Sequence, residues 1–491
     1  MTDDTRRTGP TRMLIGGEWV DAQDGRTIAV ENPARRGSVI AEVPRGGVPD
    51  VDAAVRAAAA AYPEWSKRPA RERGKIILRI ADAIEAHAEE LARSTALETG
   101  NALRPQARPE AALTADLFRY FGGIAGETKG SVLPLGEGLL SYTRREPLGV
   151  VGAIIPWNSP LMIVGMKVPA ALAAGNTVVL KAAEDAPLTV LRLAELAAEH
   201  LPPGVLNVVT GYGEEAGAAL TAHPGVDKLS FTGSTEVGRT VMAAAAERVL
   251  PVSLELGGKN PSIVFPDSAD DATVEQVVTA MRFTRQGQSC TAGSRLFLHE
   301  SIHDAFVEKL VVRLQRMVIG DPSDEATDMG AIINATQFER VCGYIDDGVE
   351  RSGATLALGG APPTEGPLAQ GYFVEPTVFT GAGNDFRIAR EEIFGPVLVV
   401  IPWRDDAEVI AMANDTHYGL AGFVFCRDGG RALRTAHALQ AGWVQVNRSG
   451  AQIPGQPYGG YKMSGLGREA SLEGMLESFT QIKSVTVDLT V

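Results

Sequence analysis

Cysteine is scarce: 491 residues hold three, Cys290, Cys342 and Cys426. An odd number without CxxC spacing makes a poor disulfide framework, so a reducing compartment, the cytoplasm, is the simpler expectation. Positive charge is also short, with 46 Lys and Arg against 60 Asp and Glu and a formal net charge of -14. Such a surface repels a phosphate backbone, and nucleic acid is not an expected partner. No apolar run approaches the roughly 18 residues that would suggest a membrane-spanning helix. Met1 to Arg12 is polar, lacks the apolar core of a signal peptide, and reads as a short frayed arm. The seven histidines are scattered, with no HExxH and no obvious serine or cysteine partner. Neither a metal site nor a histidine-driven nucleophile is therefore expected. Internal repeats and long linkers are lacking too.

What remains is ordinary globular composition, 45% apolar and 22% charged, in a chain long enough for two or three structural units. Between Val48 and Glu98, Ile76, Ile77, Ile80, Ile84 and Leu91 recur at helical spacing. Ser141 to Pro147 reads as an extended arm and Gly149 to Ile155 as a buried strand. Strand candidates Thr177–Leu180, Val205–Val209 and Lys228–Phe231 then alternate with helical runs Pro187–His200 and Glu236–Val249. That alternation predicts an α/β fold with a mostly parallel sheet and helices on both faces. The pattern restarts near residue 257, with Ser262–Phe265 as a strand, Asp270–Phe283 as a helix leading towards Cys290, and Arg295–Leu298 as a strand. The tail from Thr480 alternates Val485, Val487 and Leu489 with polar residues, a half-buried edge strand suited to pairing outside its own domain.

Small residues at Thr232-Gly233-Ser234 fall between a strand and a helix, where free backbone amides can hold a pyrophosphate. The spacing to Gly238 is not GxGxxG, and a glycine turn with only a packing role is about as good a reading. Lys181 and Glu184 follow another strand end and could meet ribose hydroxyls, or be two exposed loop charges. Cys290 has small neighbours in Gln288-Ser289-Cys290-Thr291-Ala292-Gly293, which allow substrate approach. Cys342 and Cys426 have core-like neighbours. Glu255, between Leu254 and Leu256, is either a general base with a raised pKa or a buried salt-bridge partner. Asn158, framed by Pro156-Trp157, could donate its amide to an oxyanion.

In order along the chain, Pro156-Trp157-Asn158, Lys181 with Glu184, Phe231-Thr232-Gly233-Ser234, Glu255-Leu256-Gly257-Gly258-Lys259 and Gly287-Gln288 with Cys290 closely resemble the aldehyde dehydrogenase superfamily. Glu391-Glu392-Ile393-Phe394-Gly395-Pro396 and Pro457-Tyr458-Gly459-Gly460-Tyr461-Lys462-Met463-Ser464-Gly465 extend the resemblance over nearly the whole chain from about Met13. The resemblance implies two Rossmann-like α/β domains plus a small β oligomerisation arm. Residues 1–125 and 147–256 would form an NAD-binding domain and 257–463 a catalytic domain. Residues 126–146 and 464–491 would form the arm and C-terminal tail of a homodimer or homotetramer. Gln481 stands where some tetrameric members have glutamate.

The same resemblance implies oxidation of an aldehyde to its carboxylic acid through a cysteine thiohemiacetal and thioester. Cys290 would be the nucleophile, Asn158 the oxyanion donor and Glu255 the base for hydrolysis, with Lys167 and Glu469 moving protons. Glu392 and Phe394 would hold the nicotinamide side of NAD, and Lys181 and Glu184 the adenosine ribose. Ile154, Pro156, Trp157, Phe231, Gly233, Ser234 and Leu256 would complete the cofactor site. Ser159, Met166 and Gln452 depart from frequent aromatic residues of the substrate tunnel, where Tyr458 also belongs. A wider, more polar tunnel for an aromatic or oxygenated aldehyde is expected. Arg448 could serve a carboxylate-bearing substrate, or be a surface arginine. Two other readings stand beside this one: a coenzyme-A-acylating dehydrogenase, which would not need Glu255, and a catalytically silent structural protein.

Overall fold

Proline and a left-handed glycine cut the alanine-rich stretch after Val48 into helices Val48–Lys67, Ala70–Ala86 and Ala88–Thr99. Pro69 has no N–H to donate and holds Arg68 extended, with ψ at 132°, so the first helix stops there. Gly100, at φ 76°, ends the third. Ile76, Ile77, Ile80, Ile84 and Leu91 are all buried in one core. Each such side chain contributes about 1.5–3 kcal/mol by leaving water. The computed structural model describes residues 9–350 and 353–490, and the expected frayed arm lies outside them over Met1–Thr8.

Among the described residues there are sheets of eight, seven, three and two strands. The largest is parallel through its centre, in the order Val252–Glu255, Lys228–Thr232, Val150–Ile154, Thr177–Lys181, Leu206–Val209. Antiparallel edges close it: Gly465–Leu466 beside Glu255, and Met13–Ile15 beside Leu206–Val209. Every residue of the Thr177–Lys181, Leu206–Val209 and Lys228–Thr232 strands is buried, as expected when helices cover both faces of a parallel sheet. The second sheet centres on parallel strands Pro261–Val264, Arg295–His299 and Val397–Trp403. No helix among the described residues is long and apolar enough to cross a membrane.

Two local features aim the functional residues. Helix Pro160–Ala174 has its side chains buried almost all round, and it carries Lys167 inward. Just past its end, the buried amide of Asn176 accepts from the N–H groups of Leu148 and Gly149 and donates to the carbonyls of Ala171 and Phe479. On the other side, the helix leading to Cys290 is shorter than the sequence pattern suggests. It ends at Ala280, and Arg282, Gln286 and Gly287 take φ of 59°, 52° and 65°. These left-handed turns fold the chain sharply before the cysteine and carry strain of the kind common at functional sites.

The tail and the arm meet as expected, but not half-buried. Thr480–Asp488 pairs antiparallel with Leu139–Pro147 over nine residues, Gln481 facing Glu146. Most of that strand is exposed in the single chain, Ile482 and Val487 by 60% and 41%. The 464–491 segment is also divided: Gly465–Leu466 joins the large sheet, and only the last strand joins the arm.

Candidate active site

The C-terminal ends of the large sheet's parallel strands deliver Ile154, Lys181, Thr232 and Glu255 to one cavity of ≈ 760 Å³. Cys290, Glu392, Phe394 and Tyr458 enter the same cavity from beyond residue 257. Its volume suits a small-molecule site, and strand ends of an open parallel sheet are where such sites form.

Cys290 presents its thiol at the wall with the Tyr458 hydroxyl 3.4 Å from Sγ. Burial pushes the thiol up to about 11, and the hydrogen bond from Tyr458 opposes that rise. Asn158 donates one amide hydrogen to the Gln288 carbonyl at 2.9 Å, which docks it against the segment that carries the nucleophile. Its second amide hydrogen remains for an oxyanion.

Glu255 is buried, and among the described residues neither of its carboxylate oxygens has a hydrogen-bond partner. Burial, reinforced by the nearby Glu469, raises its pKa well above the ordinary carboxylate range, while Lys167 and Arg468 pull the other way. Gly459 lets the opposing backbone come this close, since a Cβ there would stand 2.9 Å from Glu255 Oε1. Behind it, the Lys167 ammonium donates to Glu469 Oε1 at 2.6 Å and to Ser230 Oγ at 3.0 Å. Glu469 lines the cavity; Lys167 does not. The carboxylates of Glu255 and Glu469 and the Lys167 ammonium thus form one buried, electrostatically coupled cluster.

At the other end, helix Thr235–Glu247 begins at Ser234, whose hydroxyl accepts from the Val237 N–H at 3.2 Å. The first-turn amides have no helical acceptors and suit an anion. Gly233 keeps this approach open, because a Cβ there would lie 2.5 Å from the Phe231 ring. Lys181 and Glu184 form an ion pair of 2.7 Å on the cavity wall. Thr232 Oγ1 is buried without a partner. Glu392 accepts from the Gly258 N–H at 2.9 Å, and burial raises its pKa to about 7. Phe394, strained at φ 60°, meets Trp157 edge to face with ring centres 5.4 Å apart. These residues fit a dinucleotide: an open helix start for phosphates, paired charges for a ribose and an aromatic clamp.

The aldehyde dehydrogenase family profile matches residues 19–485. The chain belongs to the aldehyde dehydrogenase family. It is 46% identical over 487 residues to a hydroxyisobutyraldehyde dehydrogenase of Mycolicibacterium austroafricanum, covering 99% of this chain and 95% of that one. It is 45% identical to a phenylacetaldehyde dehydrogenase of Pseudomonas fluorescens, covering 97% and 96%. The crystal structure of PnpE in complex with nicotinamide adenine dinucleotide superposes with a TM-score of 0.95 at 43% identity, over 98% of each chain. Betaine aldehyde dehydrogenase from Staphylococcus aureus, in complex with NAD+, gives 0.95 at 38% identity, over 98% of this chain and 95% of that one.

Within this aldehyde dehydrogenase, most of the residues singled out from the motifs line the cavity: Ile154, Pro156, Trp157, Asn158, Phe231, Gly233, Ser234 and Leu256 do, as do Met166 and Gln452. Ser159 does not. It caps helix Pro160–Ala174 with its side chain fully buried, and Met162, one turn on, takes the wall instead. Arg448 is also misplaced as a substrate contact: it is exposed, lies over Gly450 and is off the cavity wall. Sequence reasoning missed Arg282, Arg285 and Glu110, which line the cavity. It missed Lys228 as well, buried beside Lys167 and Glu469, its pKa lowered by burial to about 7. The hydroxyl on Cys290 yields a direct test. Hydrogen bonds to a charged group are worth about 1.5–3 kcal/mol, so Tyr458→Phe is expected to raise the thiol pKa. Iodoacetamide alkylation of Cys290 at fixed pH should slow roughly tenfold or more; an unchanged rate would show that the hydroxyl does not support the thiolate.

Proposed function

We propose that this chain oxidises an aromatic or oxygenated aldehyde to its carboxylic acid with NAD, in the cytoplasm, as a homodimer or homotetramer built on the exposed arm sheet. The observation that carries the reading is a thiol and an unpartnered buried carboxylate opening onto one cavity. Cys290 Sγ bonds to the carbonyl carbon after its proton has left to solvent in the cavity. The oxygen becomes an oxyanion facing the Asn158 amide and the Cys290 N–H. Bound NAD supplies the acceptor for the hydride that leaves the same carbon. Glu255 then takes a proton from water, the water oxygen attacks the thioester, the C–S bond breaks, and the acid departs. Glu469 and Lys167 carry the proton away from Glu255.

Two features support the choice of partners. Glu184 at the expected ribose end disfavours an added 2′-phosphate. We expect kcat/KM with NAD to exceed that with NADP by on the order of tenfold or more, roughly 1.4 kcal/mol or above. Comparable values would overturn the charge argument. Met162, Met166, Trp443 and Tyr458 give the substrate end a broad apolar wall, and Gln452 and Thr279 add polar edges. Incubation with NAD and a panel of benzaldehyde-type, short aliphatic and acidic aldehydes, with product identification, tests the whole reading. Stoichiometric acid and NADH are expected. A strong preference for acetaldehyde would sink the wide tunnel, and an acyl thioester on adding coenzyme A would favour the acylating reading.

A further inference from the structure

Arg73 and Arg295 show how this protein uses a buried guanidinium for structure. Arg73 donates to the Ala173 carbonyl through Nε and Nη2 and to the Arg68 carbonyl through Nη1. Arg295 spreads over the carbonyls of Lys259, Met412 and Ala413 and the Asn384 side chain. Neither lines the cavity.

Arg282 is likewise held by backbone carbonyls but differs in its place. It lines the substrate end of the cavity, held there by its left-handed backbone. Nη1 donates to the Ser449 carbonyl at 2.9 Å and Nη2 to the Gly450 carbonyl at 3.1 Å, while Nε reaches Thr291 Oγ1 only at 3.4 Å. A guanidinium has five N–H groups, so one hydrogen on each Nη remains unused. Among the described residues no carboxylate is paired with it. Arg285, by contrast, has Glu110 at 4.0 Å. Burial lowers the Arg282 pKa to about 10, with Arg285 adding to the effect, which marks a cation short of compensating charge. Gln452, two residues beyond Gly450 and on the same wall, has a buried Nε2 without an acceptor. Thr291, which Arg282 touches, adjoins the nucleophile, so this donor pair and the reacting thiol belong to one small compartment. A guanidinium on the cavity wall with unused N–H groups and no carboxylate partner among the described residues suits an anionic substituent better than a neutral one.

We propose that Arg282, assisted by Gln452, recognises a carboxylate on the substrate, so that the preferred aldehydes carry an acid group on an apolar body at the end away from the reacting carbonyl. This rests on the aldehyde-oxidising reading above. The buried body packs on Met162, Met166 and Trp443, and the acid supplies the charge that Arg282 lacks.

The experiment compares 3- and 4-carboxybenzaldehyde with their methyl esters in the wild type, Arg282→Leu and Arg282→Lys, with NAD. In the wild type at least one acid should exceed its ester tenfold in kcat/KM. In Arg282→Leu the acid-to-ester ratio should fall at least tenfold, whatever loss both substrates share, and Arg282→Lys should restore part of it. Equal wild-type values, or a ratio unchanged in Arg282→Leu, would overturn the assignment and leave Arg282 as a clamp on the 449–450 loop. Because the wild-type comparison stands alone, an unstable variant does not remove the test. If neither acids nor esters nor any other aldehyde were oxidised, the underlying reading would fail instead.

Discussion

Cys290→Ala is expected to lower kcat by about 10⁴-fold or more while NAD still binds, because the variant removes the thiol proposed to hold the acyl group. Cys342 and Cys426 cannot replace it: neither lines the cavity. The ribose pair Lys181–Glu184, the helix start at Ser234 and the Trp157–Phe394 clamp are untouched by the change. Calorimetric NAD binding with no NADH formed on adding aldehyde is the expected pair of results. Mass spectrometry of the wild type under turnover should find the acyl adduct on the peptide carrying residue 290. An alanine variant with full activity would refute the covalent route.

Glu255→Gln separates the two halves of the reaction. Glutamine has nearly the same shape but accepts no proton, so acyl formation should survive while hydrolysis stalls. A stopped-flow burst approaching one NADH per active subunit is expected, followed by a steady rate lower by about 10²–10⁴-fold. The pH dependence follows from direction alone. Burial and Glu469 raise the Glu255 pKa, so at low pH the carboxyl is protonated and cannot act as a base. Wild-type hydrolysis should therefore accelerate as pH rises through that raised pKa, well above the ordinary carboxylate range, and the glutamine variant should lose this limb. Loss of the burst itself would show that Glu255 also takes the proton from Cys290, which burial holds neutral at pH 7.

Residues in contiguous motifs were legible because short patterns carry their own geometry. Thr232-Gly233-Ser234 at a strand-to-helix turn, and Glu255 at a strand end before two glycines, stand where the alternation of strands and helices predicts. The Tyr458 hydroxyl on the Cys290 thiol was not legible, because 168 residues separate the pair and nothing local to either motif marks the contact. Arg282 was hidden differently. Its run reads as the end of an apolar helix, and nothing in Met281-Arg282-Phe283 announces that the helix has already ended at Ala280. Ser159 was misplaced for another reason: the resemblance put its position in the substrate tunnel, yet at the start of helix Pro160–Ala174 it is buried off the cavity wall. The arm's strands were readable, but their exposure was not, since alternation records which faces differ and not whether either is covered in a single chain.

The amide of Asn176 has a consequence for how the tail is anchored. With two hydrogen bonds accepted and two donated, it has no capacity left to follow a moving neighbour. One of its donations goes to Phe479, the residue before the arm strand; another secures the end of the helix on which Lys167 rides. The tail strand and the helix that carries Lys167 are thus pinned to each other through one buried side chain.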